Sequence, residues 1–150
     1  MVLLILAASS TARAQVILGG YGGCIASDMI PVRTAVADVP DLAKADFQDH
    51  LIVVNPAASS FSPVMKLWAY WHECGHFAVP TLNEQVADCY SIRRLVFLGL
   101  TLSQYQALKQ EVAGLGSGDW VHLPGPQRAI NLDACLESPV FGPPLIPRPG

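Results

Sequence analysis

Residues 71–88 read WHECGHFAVPTLNEQVAD and decide the fold of this chain. The letters HECGH place His72 and His76 four residues apart, with Glu73 directly after the first histidine. On a helix, side chains four residues apart share one face, so both imidazoles can reach one metal ion. Glu73 then lies about a hundred degrees round the helix, beside the ion, where a base for zinc-activated water must stand. The pattern predicts a zinc-binding helix, and a helix with two structural histidines is the alternative.

The second half of this stretch supplies two carboxylates. Glu84 and Asp88 are again four residues apart and open the next predicted helix, and Pro80 lies between the two helices. Pairing positions symmetrically about this proline sets His76 opposite Glu84. It also sets His72 opposite Asp88. Two histidines on one helix thus face two carboxylates on an antiparallel neighbour, which yields a three-ligand site for one zinc ion per chain.

Glu84 is the predicted third ligand beside His72 and His76. Its side chain is longer than that of Asp88, and it lies next to His76 in the paired register. Asp88 then accepts the free ring N–H of a ligand histidine and fixes the orientation of the ring. The alternative for both carboxylates is an ordinary solvated helix start, where acids interact favourably with the helix dipole.

Two further segments join these motifs in one family resemblance. Residues 52–56, IVVNP, contain the clearest predicted strand, and residues 122–124, HLP, are followed by Arg128. Together with HECGH and NEQVAD, these segments resemble the gluzincin family that contains the CAAX prenyl endopeptidases and the heat-shock membrane metallopeptidases. The similar stretch runs roughly from Leu51 to Cys135, in the order that the family shows.

The resemblance implies a zincin-like core, in which an HEXXH helix, an antiparallel helix with the third ligand, and a small sheet or edge strand surround the substrate site. It implies zinc, with Glu73 as the catalytic base, Glu84 as the third ligand and Asp88 as its supporting acid. It also implies that His122 or Arg128 lies near the substrate oxyanion.

The chain departs from the family in three respects. No stretch of it resembles the family's membrane helices, the link from His76 to Glu84 is shorter, and Leu123 separates the late histidine from its proline. A prenyl-protein or membrane-protein substrate is therefore not carried over. The expected protein is a soluble, minimal version of the catalytic core.

The predicted reaction is peptide-bond hydrolysis, with a peptide or protein as substrate. Glu73 takes a proton from the zinc-activated water and returns it to the leaving amine. The oxyanion needs a donor besides the metal, for which His122 is the first choice and Arg128 the second. Tyr90 and Tyr105 are rivals for this role. The alternative functions are a catalytically weak or inactive zinc-binding relative with a regulatory role, and a zinc-buffering protein.

The remaining pattern predicts an α+β fold that is mainly helical. Residues 51–54 form a β-branched run that ends at Asn55 and Pro56, and residues 29–36 are strand-like, with Pro31 favouring an edge. Apolar residues at helical spacing and capping residues predict five helices. These run over 41–50, from 60 or 62 to about 77, from 81 or 83 to about 98, from 101 or 103 to about 112, and over 126–136.

Both ends of the chain are predicted to lie outside the domain. Residues 2–8 are apolar and residues 12–14 suit cleavage, which predicts a signal peptide over 1–14, although no basic residue precedes Arg13. A buried N-terminal strand is the alternative, and the run is too short for a bilayer, which needs ~20 apolar residues. A single metallopeptidase domain then covers 15–137, and the Pro-rich residues 138–150 form a disordered tail.

Four cysteines in an exported chain predict two disulfides, formed in the periplasm or outside the cell. Three pairings are possible from the sequence alone. Cys89 lies near the position that mirrors Cys74 across the predicted helix hairpin, which favours a Cys74–Cys89 bond. Cys24 then pairs with Cys135.

The composition excludes several classes of protein. The chain has 150 residues, 51% of them hydrophobic and 14% charged, and a net charge of -3. This length suits one domain, and this composition is not that of a disordered chain. The basic residues are few and scattered, so a nucleic-acid partner is not expected.

Overall fold

The computed structural model describes residues 23–119 and 122–138. The predicted signal peptide and residues 139–150 of the predicted tail lie outside the described residues. Within those ranges the chain forms three strands, one short 3-10 helix and four α-helices, so the predicted α+β, mainly helical class is confirmed. None of these helices has both the length and the apolar character that a bilayer crossing demands. The elements are β1 (Arg33–Val36), β2 (Ala43–Asp46), β3 (Leu51–Val54), the 3-10 helix (Pro56–Ser60), α1 (Pro63–Ala78), α2 (Glu84–Phe97), α3 (Leu102–Ala113) and α4 (Gly125–Glu137).

The small sheet has the strand order β1-β3-β2. β3 pairs in parallel with β1 and antiparallel with β2. The predicted strand at 51–54 is confirmed as β3, in which Ile52 and Val54 are buried and their neighbours half-buried. β3 is the central strand, and the edge strand that packs on α1 is β2. β1 occupies only the last four residues of the predicted 29–36 strand.

The predicted helix over 41–50 is wrong, because this segment contains β2 and a turn. The turn covers residues 47–50 and joins β2 to its antiparallel partner β3. The Asp46 carboxylate accepts a hydrogen bond from the Asp49 N–H at 3.1 Å, and His50 adopts a φ of 52°. A strand partner so close in sequence outweighs the weak helical preference of a short segment.

Three of the four α-helices, α1 to α3, begin where their capping residues predict. The Ser62 side chain accepts from the Met65 N–H at 3.2 Å, and Pro63 occupies the first turn of α1. The Asn83 side chain accepts from two N–H groups at the start of α2, and Thr101 forms a capping box at the start of α3. These oxygens satisfy N–H groups that the first helical turn leaves without partners.

α1 is the central helix of the fold. It packs against α2 on one side and against β2 and β3 on the other, while α4 packs on α2 and α3. Most of its side chains are buried, including Trp68, Tyr70 and Trp71. A helix that is covered on several sides is apolar nearly all round. The polar side chains of His72 and His76 therefore need partners inside the protein.

α1 and α2 form the predicted antiparallel hairpin. The Ser91 hydroxyl of α2 donates to the Trp68 carbonyl of α1 over 2.6 Å. One turn further along α1, Nδ1 of His72 lies 2.7 Å from the Asp88 carboxylate. The link of five residues, 79–83, is within the usual length for two adjacent antiparallel helices.

Two disulfides join the four cysteines, as the even count predicted, but the predicted pairing is wrong. Cys24 is bonded to Cys74. Cys89 is bonded to Cys135. Cys89 directly follows Asp88, which faces α1, so Cys89 is turned about a hundred degrees away from that helix. It meets α4, whereas Cys74 meets the segment before β1.

Candidate metal centre

The Glu84 carboxylate is the meeting point of three imidazole rings. Its Oε2 atom lies 2.8 Å from Nε2 of His72 and 3.2 Å from Nε2 of His122. Its Oε1 atom lies 3.6 Å from Nε2 of His76. Two of the rings come from α1 and one from the loop between α3 and α4, and Glu84 is the first residue of α2. Three parts of the chain therefore bring four side chains together.

Three of these side chains form a group that could hold a metal ion. His72, Glu84 and His122 each offer one ligand atom, and these atoms all lie within 4.8 Å of one another. This group contains His122, which the resemblance puts near the oxyanion, and does not contain His76, which is a predicted ligand. The structure brings both histidines next to Glu84, so the site has one more candidate ligand than the spacing indicates. Helical spacing does not predict that His122 joins this group, because His122 lies in the loop between α3 and α4. The resemblance of residues 122–124 to the family puts it near the oxyanion instead.

The two histidines of α1 are each held through the ring nitrogen that faces away from Glu84. Nδ1 of His72 lies 2.7 Å from the Asp88 carboxylate, and Nδ1 of His76 lies 2.9 Å from the Thr81 carbonyl oxygen. A carboxylate or carbonyl at Nδ1 accepts its hydrogen and leaves the Nε2 lone pair for a metal ion. Both rings therefore have the orientation that metal-ligating histidines need.

Asp88 is itself held by Arg128 of α4. The guanidinium donates from Nε to Oδ2 at 2.9 Å and from Nη2 to Oδ1 at 2.6 Å. It also lies over the Trp68 ring, 4.8 Å from the ring centroid. Burial alone would raise the pKa of Asp88, but hydrogen bonds with His72 and Arg128 hold it below its ordinary value. Arg128 also lines the cleft described below, and its predicted place at the oxyanion stays a prediction.

When no metal ion is bound, His72 lies between two carboxylates. Burial lowers the pKa of His72, but the contacts with Asp88 and Glu84 outweigh burial and raise it to about 10. Burial raises the pKa of Glu84, but the contacts with His72 and His76 outweigh burial and hold it well below its ordinary value. An imidazolium is thus stable at this position, and a metal ion has to displace its proton.

Glu73 lies at the edge of the sheet. Its Oε2 atom accepts a hydrogen bond from the Ala45 N–H of β2 at 2.7 Å. Burial raises the pKa of Glu73 above its ordinary value, although the charges of His72 and His76 oppose this rise. A raised pKa makes a carboxylate a stronger base. Glu73, the predicted base, therefore lies beside the histidines that surround Glu84.

A cleft of about 520 Å³ opens over this group and is lined by His72, Glu73 and His76. β2 and its flanks line the cleft on one side, and the loop between α3 and α4 lines it on another. A second hollow of about 350 Å³ shares Phe47, His76 and Leu82 with it. The candidate metal group is therefore open to a molecule of extended shape.

The two tyrosines that rival His122 lie outside this cleft. The Tyr90 hydroxyl lies 3.9 Å from Sγ of Cys74. The Tyr105 hydroxyl donates to the Asp133 carboxylate at 2.6 Å. Burial and this contact raise the pKa of Tyr105 well above its ordinary value. Both phenols have structural contacts away from the site.

Models of known protein families, curated proteins and solved structures give no significant match to this chain. The resemblance to the gluzincin family therefore stays a prediction. The function is inferred below from the chemistry of the metal centre itself.

Proposed function

We propose that this protein is a small zinc metallopeptidase that hydrolyses peptide bonds. The observation that carries the proposal is the convergence of His72, His76 and Glu84 beside Glu73 in one open cleft. Two imidazoles and one carboxylate are a known ligand set of catalytic zinc, which keeps its fourth position for water or substrate. A carboxylate beside the ion is the base that such hydrolysis requires.

The donor atoms suit zinc. Imidazole nitrogen and carboxylate oxygen bind zinc at ~2.0–2.2 Å, so the ligand atoms of a tetrahedral ion lie roughly 3.3 Å apart. The three imidazole nitrogens lie between 2.8 and 3.6 Å from the Glu84 oxygens. With the imidazoles neutral, as metal binding requires, the carboxylates of Glu73, Glu84 and Asp88 outnumber the Arg128 guanidinium, and a divalent cation would balance this negative charge.

Each polar side chain around the ion has a role in this proposal. When bound, zinc would supply Lewis acidity toward water and toward the scissile carbonyl. Glu73 accepts the proton of the attacking water and delivers it to the leaving amine. Asp88 orients His72, and Arg128 holds Asp88 in place. His122 or Arg128, which both line the cleft, supplies the donor that stabilises the oxyanion.

The disulfides support an exported location for this enzyme. Cys74 lies within the HECGH motif and Cys89 follows Asp88, so each bond anchors one of the two helices that carry the site. Disulfides form and persist in oxidising compartments and are rare in a reducing cytosol. We therefore infer a periplasmic or extracellular protein.

Hydrolysis of an unfolded protein by the purified chain, loaded with one equivalent of zinc, tests the proposal. A chelator should abolish cleavage, and added zinc should restore it. Glu73→Gln should keep the bound zinc and lose cleavage, because the amide cannot accept the proton. Glu137→Gln, at an exposed position at the end of α4, is the matched control and should keep both.

Two outcomes would count against the proposal in different ways. Cleavage by Glu73→Gln at the wild-type rate would remove this glutamate from the mechanism. A wild-type chain that binds zinc stoichiometrically and cleaves no unfolded substrate would favour the alternative function, a zinc-binding protein with a regulatory role.

A further inference from the structure

His122 has contacts on both ring nitrogens that resemble those of His72. Its Nδ1 atom lies 3.1 and 3.0 Å from the two carboxylate oxygens of Asp119. Its Nε2 atom lies 3.2 Å from Oε2 of Glu84. His72 likewise has Asp88 at Nδ1 and the same Glu84 oxygen near Nε2. Two histidines from separate parts of the chain thus present equivalent nitrogens to one carboxylate.

The loop between α3 and α4 fixes the position of His122. The His122 N–H donates to the Asp119 carboxylate at 2.7 Å, and the Asp119 N–H donates to the His122 carbonyl at 3.0 Å. Gly118 has a φ of 76°, and a β-carbon there would come within 2.5 Å of the His122 carbonyl oxygen. Only glycine permits this closure, which holds the imidazole beside Glu84.

The contact with Asp119 also selects the nitrogen that is free to bind a metal ion. A neutral imidazole carries one N–H, and a carboxylate at Nδ1 favours the tautomer that has its hydrogen there. With a metal ion between His122 and Glu84, Nδ1 would keep its hydrogen toward Asp119 and Nε2 would be the ligand atom, as at His72. A metal ion binds a lone pair, whereas an oxyanion needs an N–H donor. The geometry around His122 therefore suits a metal ligand.

We propose that His122 is a fourth protein ligand of the metal ion in the substrate-free protein, together with His72, His76 and Glu84. This inference rests on the proposed function, because it concerns the same ion. Four protein ligands close the coordination of zinc, as in structural sites, whereas catalytic zinc keeps one position open. In that arrangement His122 would give up its place when water and substrate bind.

Exposure identifies His122 as the ligand that leaves. Its side chain is 29% exposed, whereas those of His72 and His76 are 5% and 7% exposed. The two histidines of α1 are fixed in the packed helix pair, and movement of either would disturb the core. The His122 side chain lines the cleft, where an incoming substrate can replace it.

The four histidines of the chain allow a direct test by NMR. One equivalent of Zn²⁺ is added to the ¹⁵N-labelled chain, and the Nε2 resonance of each imidazole is followed. We expect the resonances of His72, His76 and His122 to move to the position of metal-bound nitrogen. The resonance of His50 should stay in place, because this ring lies outside the group that meets at Glu84.

The outcomes separate this inference from the proposed function. Movement at His72 and His76 without movement at His122 would overturn the fourth ligand and leave the metal site intact. A titration in which no imidazole responds would overturn both.

Two variants distinguish ligation from mere proximity. Asp119→Asn should weaken Zn²⁺ binding by about 10–100-fold, the usual effect of removing a group that orients a ligand. His122→Ala should weaken it at least as much. His50→Asn is the matched control, since asparagine tolerates the φ of 52° at this position, and it should bind as the wild type does. Competition with a chromophoric chelator measures the affinities, and unchanged affinity in His122→Ala would contradict the inference.

Discussion

Gly75 of α1 lies so close to Ala87 of α2 that a β-carbon at position 75 would stand 3.0 Å from the Ala87 α-carbon. Ala87 is fully buried in this contact. The glycine lies within the HECGH motif and the alanine within NEQVAD, so the two backbones approach closely where the candidate ligands face one another. These two small residues therefore set the distance between the imidazoles on one helix and the carboxylates on the other.

We predict that Gly75→Val lowers the free energy of unfolding by about 1–3 kcal/mol, the typical cost of overpacking a core. The new side chain meets backbone atoms of Ala87 and, at 3.2 Å, the Tyr90 β-carbon, none of which can rotate away. The helices must separate, so zinc affinity should fall as well. Urea unfolding and zinc titration measure the two effects.

The control for this prediction is Gln85→Val, which places the same side chain at an exposed position of α2. Its stability should stay within about 0.5 kcal/mol of the wild type, as is usual for surface substitutions. A Gly75→Val protein with the stability and zinc affinity of the wild type would show that the close helix contact is not needed.

Glu84 and Asp88 are expected to differ in what their removal does to the metal. Glu84→Ala should empty the site, because its carboxylate lies within 3.6 Å of Nε2 of all three candidate histidines. Asp88→Asn should weaken binding by about 10–100-fold, because Asp88 only orients His72. The zinc content of each variant, measured after gel filtration, distinguishes a metal ligand from a residue that only orients one. A zinc-free Asp88→Asn beside a zinc-loaded Glu84→Ala would reverse the two roles.

The parts of this site that could be predicted from sequence depend on local geometry. Helical spacing places His72 and His76 on one face, and the short link through Pro80 forces the next helix to return antiparallel. The register that follows brings Glu84 beside one histidine and Asp88 beside the other, and the structure shows both contacts. Cap residues define the helix starts in the same local way.

The parts that could not be predicted depend on partners distant in sequence or on the direction of a side chain. The pattern predicts a helix over 41–50, because a strand as short as residues 43–46 leaves no strong periodic signal of its pairing with β3. Cys74 and Cys89 lie near mirrored positions, but Cys74 is bonded to Cys24 before β1 and Cys89 to Cys135 of α4. The loop that carries His122 is positioned by tertiary packing, so spacing could not bring its imidazole to Glu84.

The disulfides should contribute strongly to stability. They join residues 50 and 46 positions apart, and closing loops of this size stabilises a fold by about 4 kcal/mol in the chain-entropy model. We predict that the double variant Cys89→Ala, Cys135→Ala lowers the free energy of unfolding by about 2–5 kcal/mol. Mass spectrometry of non-reduced peptides should find Cys24 linked to Cys74. A peptide that links Cys74 to Cys89 would contradict the observed pairing.

Stability without zinc should fall at alkaline pH, because folding raises the pKa of His72. This pKa is raised from 6.5 to about 10 by contacts with Asp88 and Glu84, against the opposing effect of burial. A raised pKa stabilises the folded state fully below the unfolded value of 6.5, and the contribution is lost as pH rises through about 10. Urea unfolding in the presence of a chelator measures this loss. His72→Gln should unfold with a weaker dependence on pH over the same interval.

Zinc binding should show the opposite dependence on pH, because the ion must displace the His72 proton. Near neutral pH the unliganded ring is protonated, so each zinc ion bound releases about one proton from it and affinity rises about tenfold per pH unit. Calorimetric titrations in two buffers with different ionisation enthalpies count the protons released. His50→Asn should leave the count unchanged, since His50 lies outside the metal group. A binding heat that is the same in both buffers would mean that His72 is already neutral and that Asp88 and Glu84 do not hold an imidazolium between them.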